Sequence, residues 1–302
     1  MASSELLLLL QGGLGNQLFQ GVLARTLAER HGRRLVVDPV LLTSRLRGLR
    51  GVTPRSLSPL LASQLPVAAT PWHHRLPSRL GARWPGGGMP WTLTDARLSR
   101  ASAAEDLPGQ LGRTAVLRTH ATHPALYRRC FDPAWLALSA ALDAAGPAKP
   151  PPTVALHVRR GDYLQTSSGF FPLEPGYYRR ALEMVRHQPR LAARAGLMDL
   201  GEAKAGPPLL HVFTDDPTWC HTHLGQAGWD LRIEGGSPEQ DLTRLATARL
   251  LIISNSSFSA AAAHLARLRD PAAIVLCPNR WLLKEDGRLG DLRCHGWLTV
   301  EA

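Results

Sequence analysis

The chain has 302 residues, 44% of them hydrophobic and 20% charged, a composition that supports one or two buried cores and excludes disorder of the whole. No apolar run reaches the roughly 18 residues needed to cross a bilayer, and the early run Leu6–Leu10 lacks the basic flank and small-residue cleavage site of a secretion signal. The formal charge is +11 and unevenly placed: residues 1–150 hold 18 basic and 8 acidic side chains, residues 151–302 hold 17 and 16.

Taken in chain order, residues 5–11 (ELLLLLQ) predict a short buried strand that ends at Gly12-Gly13-Leu14-Gly15. Asn16 follows as a helix cap, and Leu18, Phe19, Val22, Leu23 and Leu27 make an apolar helical stripe closed by Gly32. Residues 35–38 predict a second strand, so the unit is strand–helix–strand and its sheet parallel. Residues 43–113 show weak periodicity and read as loops and short helices. Val116 to His120 predicts a strand and Pro133 to Leu142 a helix. The segment AAGPAKPPP at 144–152 is a stiff linker candidate, dividing an N-terminal α/β domain (1–150) from a C-terminal one (151–302).

The second half is more regular. Strands are predicted at 153–158, 209–214, 251–253 and 273–276, and helices at 175–185, 242–250 and 258–268. Polar clusters repeatedly follow the C-terminal ends of these strands, where ligand crevices of open α/β sheets lie.

The basic first half suits an anionic partner or membrane face. Only Lys149, Lys204 and Lys284 are lysines, however, and an Arg-, Ala-, Gly- and Pro-rich chain is also what a GC-rich genome encodes. Neither zinc-finger spacing nor a basic helix with heptads is present, which argues against nucleic acid. Cys130, Cys220, Cys277 and Cys294 form no CxxC pair, which points away from a disulfide framework and toward a reducing, cytoplasmic setting.

Four segments carry chemistry. The turn Gly12-Gly13-Leu14-Gly15-Asn16-Gln17 lets a ligand approach backbone at a helix N-terminus; it is neither GxGxxG nor a Walker A loop, and alone it also fits a plain βα turn. In His157-Val158-Arg159-Arg160-Gly161-Asp162-Tyr163, two arginines follow a buried strand, a costly placement unless something anionic receives them. Arginine's planar fork suits phosphate; one guanidinium can meet a diphosphate while the other, or Asp162, holds the loop, and an Arg–Asp pair of purely structural purpose fits the pattern too. His157 alternates inward with Ala155, the pattern of a core histidine. In Phe213-Thr214-Asp215-Asp216, a carboxylate can receive a base edge or sugar hydroxyl, or cap a helix before Pro217. The spaced Asp-x-Asp of metal-dependent sugar transferases is missing there, so no metal is implied. Ser254-Asn255-Ser256-Ser257-Phe258-Ser259 places hydroxyls and N–H groups at a helix start, an anion nest.

In this order the four segments resemble those of the bacterial α-1,2-fucosyltransferases, glycosyltransferase family 11: GGLGNQLFQ at 12–20, HVRRGDY at 157–163, FTDDPTW at 213–219 and the stretch from Asp241 to Ser259 ending in NSSFS. The resemblance implies a GT-B-like fold of two Rossmann-like α/β domains facing a cleft, with the N-terminal domain on the acceptor side. It implies GDP-β-L-fucose as donor and a terminal galactoside of an O-antigen-like cell-surface glycan as acceptor, joined α-1,2 with inversion and without metal or other cofactor. By the same carry-over Arg159 and Arg160 stabilise the departing diphosphate. Gly13, Gly15, His157, Asp215, Asn255, Ser256, Ser257 and Phe258 hold the donor, and Asn16 faces the reacting sugar, as a Gly-x-Gly-Asn turn does in protein O-fucosyltransferases. His157, Asp162 and His120 are the candidates for a general base. The chain departs from the family at Gly21, where a tyrosine is usual, and at Ala260-Ala261, where two tryptophans are usual. Two alternatives stay open: a transferase of another GDP-sugar, such as GDP-mannose, and a non-catalytic GDP- or glycan-binding protein, the latter suggested by the lost aromatics. The basic first half adds a lipid-linked acceptor and peripheral contact with the anionic inner face of the membrane.

Overall fold

A computed structural model describes residues 5–42, 55–67, 92–94, 116–120, 132–144, 150–165, 169–198, 206–283 and 292–302. The chain divides into two compact units, one of Met1–Ala141 with Gly287–Leu292 and one of Leu142–Asp286 with Arg293–Ala302. Most of the linker candidate, residues 145–149, lies outside the described residues, as does Cys130.

The first unit holds β1 (Glu5–Leu9), α1 (Leu14–Arg30), β2 (Arg34–Asp38), α2 (Pro59–Gln64), β3 (Thr92–Thr94), β4 (Val116–Arg118) and most of α3 (Asp132–Ala144). Its sheet runs β2-β1-β4-β3, and every pairing is parallel. An interior strand of a parallel sheet is covered on both faces, which is why β1 is an unbroken leucine run with Leu6 to Leu9 all buried. The apolar stripe of α1 lies against the core, and Phe19 meets Trp135 of α3 edge to face at 5.3 Å.

The glycine turn differs from the sequence expectation in one respect. α1 starts at Leu14 with Gly13 in the capping position and no side-chain cap, so Asn16 sits inside the first turn and does not cap it. Gly12 adopts φ +83°, and a Cβ there would meet the Asn16 amide nitrogen at 2.6 Å, so the turn needs glycine for both conformation and space. Two buried glutamines hold it. Gln20 accepts from the Gln11 N–H (3.0 Å) and donates to the Gln11 carbonyl (2.8 Å). Gln17 donates to the carbonyls of Gly12 (3.0 Å) and Ser56 (2.9 Å) and accepts from the Ser58 N–H (3.1 Å). Gly21 is buried on the next turn, where an added Cβ would stand 3.1 Å from Leu65 and 3.3 Å from Leu61. Those two leucines occupy the space that a larger side chain at position 21 would need.

The second unit holds β5 (Val154–Val158), α4 (Pro175–His187), α5 (Pro189–Arg194), β6 (Leu209–Thr214), α6 (Pro217–Leu224), β7 (Asp230–Glu234), α7 (Pro238–Leu245), β8 (Leu250–Ile252), α8 (Ser257–Arg269), β9 (Ile274–Pro278) and β10 (Leu298–Val300). Its sheet order is β10-β9-β8-β5-β6-β7, all parallel. The chain enters at β5, winds outward through β6 and β7, then crosses back to β8 and winds out the other way. This is the doubly wound order, and its reversal point lies between β5 and β8. On one face Val154, Leu156, Val158, Leu210, Val212, Leu250, Ile252 and Leu276 pack with Tyr177, Tyr178, Ala181, Leu182 and Val185 of α4. Tyr177 also donates its hydroxyl to the Ile253 carbonyl at 2.5 Å, fixing the end of β8.

Both units are thus α/β on parallel sheets, as the family resemblance implies. Two boundaries are corrected. The helix expected at 242–250 is α7, which starts at Pro238 because Ser237 and Gln240 form a reciprocal capping box and ends at Leu245; Leu250 is the first residue of β8 (Leu250–Ile252). The stretch 43–113, read as loops and short helices, also contains strand β3. Replacing Gln20 by leucine keeps the side chain's bulk and removes both bonds to Gln11; it is expected to lower stability by about 2 kcal/mol in urea unfolding.

Candidate functional site

At the reversal point of the second sheet, the loop after β5 meets the loops after β6 and β8. The first of these is the arginine loop. Arg159 reaches Asp162 at 2.7 Å and Asp215, beyond β6, at 2.9 Å. The other oxygen of Asp215 accepts the backbone N–H of Arg160 at 2.9 Å. Gly161 lies so close to this carboxylate that a Cβ would stand 2.6 Å from it. Asp215 therefore spends both oxygens on shaping the loop.

The two arginines diverge. Arg160 lies over the Trp219 ring, 4.2 Å from its centroid, and its Nε is 3.5 Å from Asp216. Asp216 in turn caps α6 by accepting the Trp219 N–H at 3.0 Å, the capping role its place before Pro217 allowed. Arg160 is thus turned toward α6, with Nε and Nη1 buried and not hydrogen-bonded. Arg159 is turned toward Tyr163, 5.6 Å from the ring centroid, and close enough to His157 to act on its charge state. By these contacts the Arg159 side chain is the one that ties the loop to Asp162 and Asp215, while the Arg160 side chain stacks on Trp219.

His157 is nearly buried, and its Nδ1 lies 2.8 Å from the Ser254 hydroxyl, joining β5 to the end of β8. Phe258 packs against the imidazole with ring centroids 5.3 Å apart. Burial, and secondarily the charge of Arg159, lower the His157 pKa to about 3, so the ring is neutral at physiological pH. Tyr163 stacks on Phe170 at 4.0 Å and hydrogen-bonds Ser256, tying the arginine loop to the start of α8; burial raises its pKa well above the usual value.

Several hydroxyls of the serine cluster are committed within the protein. Ser256 caps α8 by accepting the Phe258 N–H (3.2 Å), and Ser259 donates back to the carbonyls of Ser254 and Ser256. Asn255, expected among the donor-binding groups, gives its amide N–H groups to the carbonyls of Phe171 (2.7 Å) and Trp281 (2.9 Å), pinning two loops, and its Oδ1 is buried. Ser257 and Phe258 remain half-exposed at the first turn of α8, whose N–H groups offer positive potential to an anion. Ala260 and Ala261 are fully buried inside α8 and so are packing positions.

Gly13, Gly15 and Asn16 lie in the first unit at the start of α1, and His120 lies just past β4. What the sequence does not show is the partners inside these segments: Ser254 and Ser259 line up behind His157, and Trp219 lies under the Arg160 guanidinium.

No family model matches the chain. It is similar to bovine galactoside 2-alpha-L-fucosyltransferase SEC1, 27% identical over 125 residues that make up 39% of this chain and 30% of that protein. It is also similar to the alpha-1,2-colitosyltransferase of Escherichia coli, 26% identical over 153 residues, 49% of this chain and 48% of that protein. The chain thus spans less than half the length of these relatives. Among solved structures, fucosyltransferase NodZ from Bradyrhizobium aligns over 86% of this chain and 92% of its own at 18% identity and TM-score 0.41. Heptosyltransferase WaaC of E. coli with ADP aligns over 99% and 93% at 10% identity and TM-score 0.45. The fold assignment rests on the strand order itself.

Two outcomes follow. In Gly161→Ala the new methyl displaces the Asp215 carboxylate and loosens the arginine loop, so the backbone amide of Arg160, which Asp215 accepts in the parent chain, should lose protection in hydrogen exchange. Burial also lowers the His264 pKa to about 4. His157 and His264 therefore stay neutral in the fold while the unfolded chain takes up protons below about pH 6.5, so their effect is nil above that pH and destabilising as pH falls toward 4. Replacing His264 by asparagine should shrink the loss of unfolding free energy between pH 7 and pH 5 by about 1–2 kcal/mol.

Proposed function

We propose that this chain is a glycosyltransferase that moves a fucose-type sugar from its GDP conjugate to the 2-hydroxyl of a galactose-terminated glycan, with inversion. The observation that carries the reading is Arg159, held by two carboxylates just past the end of β5, at the reversal point of a doubly wound sheet. A guanidinium and a helix N-terminus there can take the charge that grows on a leaving diphosphate. The similarity to a galactoside 2-alpha-L-fucosyltransferase and an alpha-1,2-colitosyltransferase supports the sugar class and the linkage.

In this reaction the acceptor oxygen bonds to the anomeric carbon, the bond from that carbon to the β-phosphate oxygen breaks, GDP leaves with the electron pair, and the hydroxyl proton passes to water. A histidine whose pKa is about 3 draws little on that proton. The site therefore favours a loose, oxocarbenium-like path driven from the phosphate side, with His157 and Asp162 orienting groups around it. Arg159 supplies at the diphosphate the positive charge that a divalent ion supplies in other transferases, and activity should persist in EDTA.

A colitosyl donor is the second reading, favoured by the longer match to the colitosyltransferase. The non-catalytic alternative drew on the missing aromatics at 21, 260 and 261; those positions are buried packing sites, which weakens that motive. For the acceptor we retain a lipid-linked glycan at the inner face of a membrane, supported by the basic first half of the chain. Among the described residues no helix is long and apolar enough to cross a membrane.

Incubation with GDP-fucose, GDP-colitose and GDP-mannose against a panel of galactosides, with the product linkage read by NMR, tests the reading; absence of transfer from every donor defeats it. Arg159→Ala should lower kcat by roughly 10²–10³-fold while the chain stays folded, and Arg160→Ala should act mainly on stability through the lost stacking on Trp219. Equal activity of Arg159→Ala and the parent chain would remove the diphosphate role.

A further inference from the structure

His157, Ser254 and Ser259 form a buried file of polar groups whose hydrogens can be assigned from their neighbours. Ser259 is fully buried, and its hydroxyl lies 3.1 Å from the Ser254 carbonyl and 3.2 Å from the Ser256 carbonyl. A carbonyl only accepts, so the Ser259 proton is committed to the backbone. The Ser254 hydroxyl lies 3.4 Å from the Ser259 oxygen, and the proton between them must come from Ser254. That leaves the Ser254 oxygen as acceptor in its 2.8 Å contact with His157 Nδ1, and the proton in that contact belongs to the ring. Every donor in the file then has an acceptor, and the dipoles all point one way, an arrangement in which successive hydrogen bonds reinforce each other. The opposite order, with Ser254 donating to the ring, leaves two hydroxyl oxygens facing each other with no proton between them.

We propose that Ser259 and Ser254 are positioning residues that hold His157 with its proton on Nδ1, so that Nε2 presents a lone pair to an O–H or N–H donor of the bound nucleotide sugar. Nε2 has no partner among the described residues and is not sealed from solvent. Burial and the neighbouring Arg159 keep the ring in its singly protonated form, and Phe258 fixes the ring plane. His157 then selects a donor group on the ligand and rejects an acceptor at that point, where a lone pair facing a lone pair costs binding. The identity of the ligand rests on the function proposed above; the tautomer does not.

The test uses the full chain labelled with ¹⁵N-histidine and two-bond ¹H–¹⁵N correlation at pH 7, the His157 signals being assigned by their loss in His157→Gln. The expected spectrum has Nδ1 protonated and Nε2 unprotonated. Ser259→Ala frees the Ser254 hydroxyl to donate to the ring and should move the proton to Nε2, whereas Ser254→Thr keeps the hydroxyl and should preserve the parent pattern. Calorimetry with GDP-fucose should then show roughly tenfold weaker binding by Ser259→Ala, and binding within about twofold of the parent by Ser254→Thr. A parent spectrum with the proton on Nε2, or a Ser259→Ala spectrum unchanged from the parent, overturns the proposal. A parent chain with the expected tautomer but no affinity for GDP-fucose overturns the ligand half and the nucleotide-sugar reading with it, and leaves the hydrogen-bond file standing.

Discussion

The carboxylate of Asp215 is the pivot of the second unit's site. One oxygen holds the Arg159 guanidinium and the other holds the Arg160 backbone, so a single side chain beyond β6 shapes the loop beyond β5. A guanidinium at the mouth of a buried strand must be matched by anionic groups to be tolerated. The protein meets that demand with Asp162, Asp215 and Asp216, and the same pairings aim the two arginines in different directions. Gly161 follows from this constraint, because any larger residue would occupy the space of the Asp215 carboxylate.

The arginine-rich composition gains a structural reading from the second unit. Arg179 donates to the carbonyl of His223 in the last turn of α6, Arg269 to that of Ala246 after α7, and Arg267 to those of Pro271 and Ala273. Arg180 and Arg186 do the same for Glu301 and Gly228. These guanidiniums satisfy carbonyls that helix ends and turns leave without partners. In this half of the chain arginine serves the backbone as often as it serves acids, and its abundance by itself does not signal an external anionic partner.

Much of the second sheet was legible because its strands β5, β6 and β8 are apolar runs that end in polar clusters, and those clusters are what the fold gathers. The edge strands β7 and β10 were not legible: DLRIE and LTV are half-exposed and read as loop by pattern, and only their neighbours β6 and β9 make them strands. The start of α7 was missed although Ser237 and Gln240 spell a capping box, because the apolar periodicity begins only at Leu242. The four site segments are visible in the sequence, but the partner of each side chain is not: Asn255 bonds the carbonyls of Phe171 and Trp281, and Ser254 meets the imidazole of His157. Side-chain direction at a strand-to-helix junction depends on which face each residue takes, and one position of slip exchanges inside for outside.

The pairing of Arg159 has a thermodynamic corollary. Because the guanidinium is already engaged by carboxylates, any anion that binds it gains only the difference between its own grip and theirs. Under the proposed function the same margin holds down affinity for the spent nucleotide. Asp162 and Asp215 would then act as an internal competitor that reclaims the cation as the phosphates depart.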